Sequence, residues 1–117
     1  MKTAHLAFKD GVRLRAACFA PHMVRLLTVL LSVAPDTRDG CMVVTEAWRK
    51  PRHPDDAHTW CNAFDIRSRN VIHEGSLEPA MLAWASRAKA SLDSPDWQIV
   101  VHGEGPGLHM HAEFDPR

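Results

Sequence analysis

Two histidines stand one residue apart near the end of the chain, His109 and His111 in "GLHMHAEFD" (107–115). Midway along, "DDAHTWCNAFDI" (55–66) carries His58 and, seven positions later, Asp65. Imidazole nitrogens and carboxylate oxygens are the donors that hold a zinc ion. The chain has eight histidines, against roughly two or three expected for ordinary composition at this length. If the last stretch is a strand, His109, His111 and Glu113 share one face while Leu108, Met110, Ala112 and Phe114 share the other. Taken alone, such a pair is either two imidazoles aimed at one point or two solvated surface histidines. His58 and Asp65 constrain the choice through geometry. Donor atoms on one zinc lie no more than about 4 Å apart. Seven residues of strand would separate the Cα atoms by about 23 Å, and seven of helix by about 10.5 Å. A shared ion therefore requires the backbone to turn between them, and Cys61-Asn62 is the expected place.

The elements that must position these groups follow from periodicity. "HLAFKDGVRLRAACFA" near the start reads as a hairpin or an extended arm around Asp10-Gly11. Pro21 opens a helix whose apolar positions Met23, Leu26, Leu27, Leu30, Leu31 and Ala34 run up to Pro35. "CMVVTEAW" is rich in strand formers and reads as a strand ending near Arg49, and "RKPRHPDD" with its two prolines is an irregular loop. "WCNAFDIRS" is the next strand. Glu78–Leu92 has a second helical stripe, with Ser76 and Pro79 as start signals. "WQIVVH", the turn "GEGPG" and "LHMHAEF" form a closing hairpin across 103–107. The expected fold is α+β, a small antiparallel sheet flanked by helices.

Length and composition exclude several function classes. At 117 residues, residues 1–117 form one expected domain. Lysine plus arginine and aspartate plus glutamate are equal at 14 each, so no nucleic-acid or anionic-membrane partner is expected. Three widely spaced cysteines, Cys18, Cys41 and Cys61, make no disulfide framework and point to a reducing compartment. "MVRLLTVLLSVA" is too short to span a bilayer and too far inside the chain for a signal peptide. The product is expected to be soluble, made in the cytoplasm, and monomeric.

The motif "H-TWCN-A-F-D-I" followed by "H-M-H" resembles the signature of the zinc D-Ala-D-Ala carboxypeptidases and murein endopeptidases, a family sharing its fold with the hedgehog signalling domain. That signature is S-x-H-x-x-G-x-A-x-D with a later H-x-H; His58, Ala63 and Asp65 match the first part, His109 and His111 the second. The resemblance spans roughly residues 20–115. It implies that His58, Asp65 and His111 bind one Zn²⁺, with His109 beside the metal as a catalytic partner of substrate or transition state. "VVTEAWR" is similar to the family's strand ending in arginine, which makes Arg49 the expected clamp for a substrate carboxylate. Two positions depart from the pattern: the family's serine is Asp56 and its glycine is Cys61.

Two imidazoles and one carboxylate leave a +1 site with a fourth position for water, as in catalytic zinc centres. A general base must then take the water's proton and pass it to the leaving amine. Glu104, in the glycine-rich turn, is the expected base and Glu113 its rival, the latter also suited to support a ligand. The expected activity is zinc metallopeptidase hydrolysis of peptidoglycan cross-links or of terminal D-alanine. The substrate is a peptidoglycan peptide or a D-alanyl dipeptide. A compact catalytic domain with no wall-binding module fits a lytic peptidase of phage endolysin or virion type, acting on the cell wall after release. The other reading is a non-catalytic zinc-binding module of the same fold. Trp48 and Trp60 are expected in the core rather than as sugar platforms. His53 has a lesser claim to contact substrate, and His22 is expected on the surface.

Overall fold

A computed structural model describes residues 1–116. The first helix, α1 (Pro21–Ser32), starts with proline in its first turn, where a missing N–H costs nothing. It stops ahead of Pro35, whose ring disfavours helix in the residue before it. The second, α2 (Leu77–Leu92), ends on Asp93 in the left-handed region. The Trp84 indole N–H donates to the Leu30 carbonyl and bolts the two helices together. Both boundaries agree with the sequence to within a residue or two.

Five strands form one sheet: β1 (His5–Phe8), β2 (Cys41–Glu46), β3 (Ala63–Arg67), β4 (Trp97–His102) and β5 (His109–Phe114). Their spatial order is β1-β2-β3-β5-β4. The pairs β2–β3, β3–β5 and β4–β5 are antiparallel. The N-terminal arm, however, pairs with β2 in parallel, so the sheet is mixed rather than antiparallel as expected. The physical reason is connectivity: the Asp10-Gly11 turn does not fold the chain back as a hairpin. It leads through a 3₁₀ turn (Ala16–Phe19) into α1, a helical crossover that returns the chain in the same direction.

Alternation along the strands gives the sheet two unlike faces. Met42, Val44, Phe64, Ile66, Ile99, Met110 and Ala112 join Met23, Leu26, Leu30, Met81, Trp84 and Ala88 of the helices in one core. Burying each large side chain there is worth roughly 1.5–3 kcal/mol. The opposite face carries Asp65, Arg67, His109, His111 and Glu113 and lies under the irregular segment 47–62. Two expected strands are shorter than their β-rich composition suggested. β2 ends at Glu46 after a register shift against β3, and β3 begins only at Ala63 because residues 57–62 turn.

The β4–β5 hairpin closes as expected, with a second 3₁₀ turn (Gly105–Gly107) at its tip. Gly103 has φ +85°, and a Cβ there would sit 2.4 Å from the Gly107 carbonyl oxygen. Only glycine fits that approach.

Candidate metal centre

Two of the converging side chains are placed by strand register alone. Asp65 on β3 lies directly opposite His111 on β5, and side chains opposite each other across strands are natural contacts. The His111 Nδ1 lies 2.9 Å from Asp65 Oδ1.

The third comes from the 47–62 segment, where a buried carboxylate does the folding. Asp56, 1% exposed, accepts from Arg49 Nε at 2.9 Å and Arg49 Nη2 at 3.1 Å. It also accepts from the backbone N–H groups of Arg52 and His58. Burial alone would raise the Asp56 pKa, but the Arg49 guanidinium and these N–H donors outweigh it and hold the carboxyl at about 2. The Thr59 hydroxyl donates to the Arg49 carbonyl. The chain then reverses: the N–H of Cys61 donates to the His58 carbonyl and that of Asn62 to the Ala57 carbonyl, with Cys61 at φ +58°. This is the turn that the 58/65 spacing demanded. It brings His58 Nε2 to 3.2 Å from Asp65 Oδ1.

The hydrogen bonds on the far side of each ring decide which nitrogen faces inward. His58 Nδ1–H donates to the Ala47 carbonyl at 2.7 Å, leaving Nε2 to face Asp65. His111 Nε2–H donates to Glu113 Oε1 at 2.9 Å, leaving Nδ1 to face the same carboxylate. One donor atom from each of His58, Asp65 and His111 lies within 4.8 Å of the others. One carboxylate oxygen faced by two imidazole nitrogens is a donor set that a cation, a proton or a metal ion, can hold together. Ligands on a tetrahedral zinc at 2.0–2.1 Å stand about 3.4 Å apart, so the two separations to Asp65 Oδ1, 3.2 Å and 2.9 Å, lie within a few tenths of an ångström of that spacing. The residues fit a single metal ion. Carbonyl and carboxylate partners behind each ligating ring are the usual support of such a centre.

Without an ion, protons take the metal's part. Burial would raise Asp65, but hydrogen bonds from His111 and His58 hold its carboxyl well below the usual carboxylate range. Burial would lower His111, but Asp65 and Glu113 on its two sides raise it above the ordinary histidine value.

The remaining expected site residues divide. His109 lies beside the triad: its Nδ1–H donates to the Gly107 carbonyl at 2.9 Å, and its Nε2 stands 4.0 Å from Asp65 Oδ2. Glu113 touches His111 from behind. Glu104 is exposed at the entry to the second 3₁₀ turn, lining a separate hollow with Leu77, Glu78 and Leu108. It forms no hydrogen bond or ion pair with the triad. Arg49 has its fork filled by Asp56 and, through Nη1, by Glu46 Oε2 at 2.9 Å. His53 is exposed in the loop.

Trp60 is not in the core. It is 67% exposed and borders a hollow with Asn62 and Glu113. Trp48 is partly buried beneath Arg15, whose guanidinium lies 4.2 Å above its ring. His22 is not a bare surface residue either: it packs 4.6 Å from the Phe114 ring and contacts Asn62.

One contributor went unrecognised in the sequence. Asp56 drew notice only as a departure from a motif, although Asp two residues before the backbone N–H it accepts is a known turn signal. His102 stands opposite His109 across the hairpin, its ring 5.8 Å from those of both His109 and His111. Its place at a strand end beside the 103–107 turn leaves a role at the rim of the site open in the sequence. Comparison with protein-family models, with curated proteins and with solved structures returned no match for this chain.

Proposed function

We propose that this protein is a single-zinc peptidase acting on peptide bonds of peptidoglycan, either its cross-links or a terminal D-alanine. The observation that carries the reading is the convergence of three lone-pair atoms on one point. The Ala47 carbonyl fixes the His58 ring from behind, Glu113 backs the His111 ring, and a third histidine, His109, stands alongside. The motif resemblance to zinc D-Ala-D-Ala peptidases narrows the substrate to D-amino-acid peptides and favours the same hedgehog-like fold.

A zinc ion at this position would supply Lewis acidity to the scissile carbonyl and lower the pKa of water towards ~7. The chain does the rest. Ala47 and Glu113 hold the two rings in register. His109, its Nδ1–H committed to Gly107, offers Nε2 as the group that takes a proton from the attacking water and returns it to the leaving amine. That assignment replaces Glu104, which is exposed at the hairpin tip, and Glu113, which is engaged on the far side of His111.

Zinc-loaded protein incubated with purified peptidoglycan is expected to generate new amino groups or free D-alanine. His109→Ala should reduce the rate by about 10²-fold or more while zinc content stays at one per chain. A second reading, a zinc module without hydrolysis, is favoured by the filled fork of Arg49, which leaves the expected carboxylate clamp occupied. Stoichiometric zinc with no cleavage product from whole peptidoglycan would establish that reading instead.

A further inference from the structure

Beside the triad lies a cleft of about 220 Å³, bounded by the hairpin tip at Pro106–Leu108 and by Asp65 and His109. Three cations line it: Lys9, Arg67 and Arg69. Arg67 follows Asp65 by two on β3, so it shares the metal-binding face, and it lies directly opposite His109. Lys9 is held at the sheet edge by its N–H donating to the Val44 carbonyl. The segment bearing Arg69 is tied down on both sides. The Ser68 hydroxyl donates to the Leu108 carbonyl, and the Arg38 side chain donates to the Arg69 carbonyl.

Among the described residues no carboxylate pairs with Lys9, Arg67 or Arg69, whereas Arg49 nearby is saturated by two. The chain has as many acidic as basic residues, so three unmatched cations in one cleft represent a local excess. The only acidic residue in its lining, Asp65, is committed to His58 and His111. A cleft of this size admits a side chain or a terminal residue, and a planar guanidinium is matched to a carboxylate by two parallel hydrogen bonds.

We propose that the Lys9–Arg67–Arg69 cleft is a subsite for a carboxylate of the substrate, with Arg67 as its principal partner, and that it selects acidic peptides for the neighbouring metal. The proposal rests on the peptidase reading for the word substrate, but the binding it asserts can be measured without turnover. The carboxylate has two sources, the free C-terminus of a peptide or an acidic side chain within it.

The test is calorimetric binding to the zinc-loaded protein. The probes are acetyl-D-alanyl-D-alanine, its C-terminal amide, and an amidated peptide whose only carboxylate is a glutamyl side chain. At least one acid is expected to bind about tenfold or more tightly than the amide, and whichever does so identifies the source. Arg67→Gln and Lys9→Gln should each erode that preference several-fold while leaving zinc content and amide binding unchanged, and Arg67→Lys should restore part of it. Equal affinity for acids and amide, or none measurable for any, overturns the subsite. So does a preference indifferent to both substitutions, since the metal alone would then be holding the carboxylate. Cleavage is read in the same samples. Preference without cleavage keeps the subsite and removes the peptidase reading; equal kcat/KM for acid and amide does the reverse.

Discussion

Cys61 is the residue at which backbone and side chain disagree. Its φ of +58° belongs to a region where a Cβ costs roughly 1–2 kcal/mol, and the motif this stretch resembles has glycine there. The side chain compensates by burial among core residues. It sits against the Cys18 thiol, and burial together with that neighbour pushes its pKa up to about 12. A thiol so protonated is a packing group and a poor metal ligand, so Cys61 does not compete with His58 for the ion. Two truncations separate the backbone from the side chain. Cys61→Ala and Cys61→Gly both lose the thiol contact, but only glycine relaxes the turn. The glycine variant should therefore be the more stable by about 1 kcal/mol in urea unfolding, the reverse of the usual order inside helices and strands. A more stable alanine variant would mean the turn is not held in the left-handed region.

At the scale of elements, the candidate metal centre is two strands and one loop latched to them. Register places Asp65 against His111; the Arg49–Asp56 latch, together with the Ala47 carbonyl behind the ring, brings His58 to meet them. Arg49→Met leaves Asp56 buried without its cation, a change worth about 3 kcal/mol, and the loss should concentrate in the loop. Zinc affinity is then expected to fall about tenfold or more, with the far-ultraviolet circular dichroism of sheet and helices preserved. Were Arg49 instead a substrate clamp, KM would rise with zinc affinity untouched. The same division explains what could be read beforehand. Helices and hairpin announce themselves by local periodicity, and so does the shared face of His109, His111 and Glu113. The turn at Cys61 followed from the distance two ligands can span. The parallel pairing of β1 depends on where α1 returns the chain, which no local pattern carries. The occupancy of Arg49 depends on a carboxylate seven residues away across an irregular loop. Glu104 looked suitable in sequence because proximity to the last strand was legible, whereas the direction of the hairpin tip was not.

Over the whole molecule, protons and a bound metal would compete for the same three side chains, and that competition would set how stability follows pH. Asp56 has a folded pKa of about 2 against an ordinary 3.8. Its contribution, on the order of 2 kcal/mol, is present above about pH 4 and is lost as pH falls towards 2. Asp65, lowered also, works in the same direction. His111 is raised above its ordinary 6.5, so in metal-free protein its contribution is complete below that value and is lost as pH rises through the folded pKa. The metal-free protein should accordingly be most stable between about pH 4 and 6.5. Zinc bound at the candidate centre would reverse the upper limit, because it would take the place of the proton on His111 Nδ1 and bind better as that proton leaves. Saturation to about a hundred times the dissociation constant contributes roughly 2.7 kcal/mol, or about 10 °C in Tm for a chain of this size. The difference in Tm between zinc-loaded and chelator-treated protein should then be small at pH 5.5 and widen to that order at pH 8. A gap that stayed constant or closed over this range would mean that His111 is not where the ion and the proton exchange.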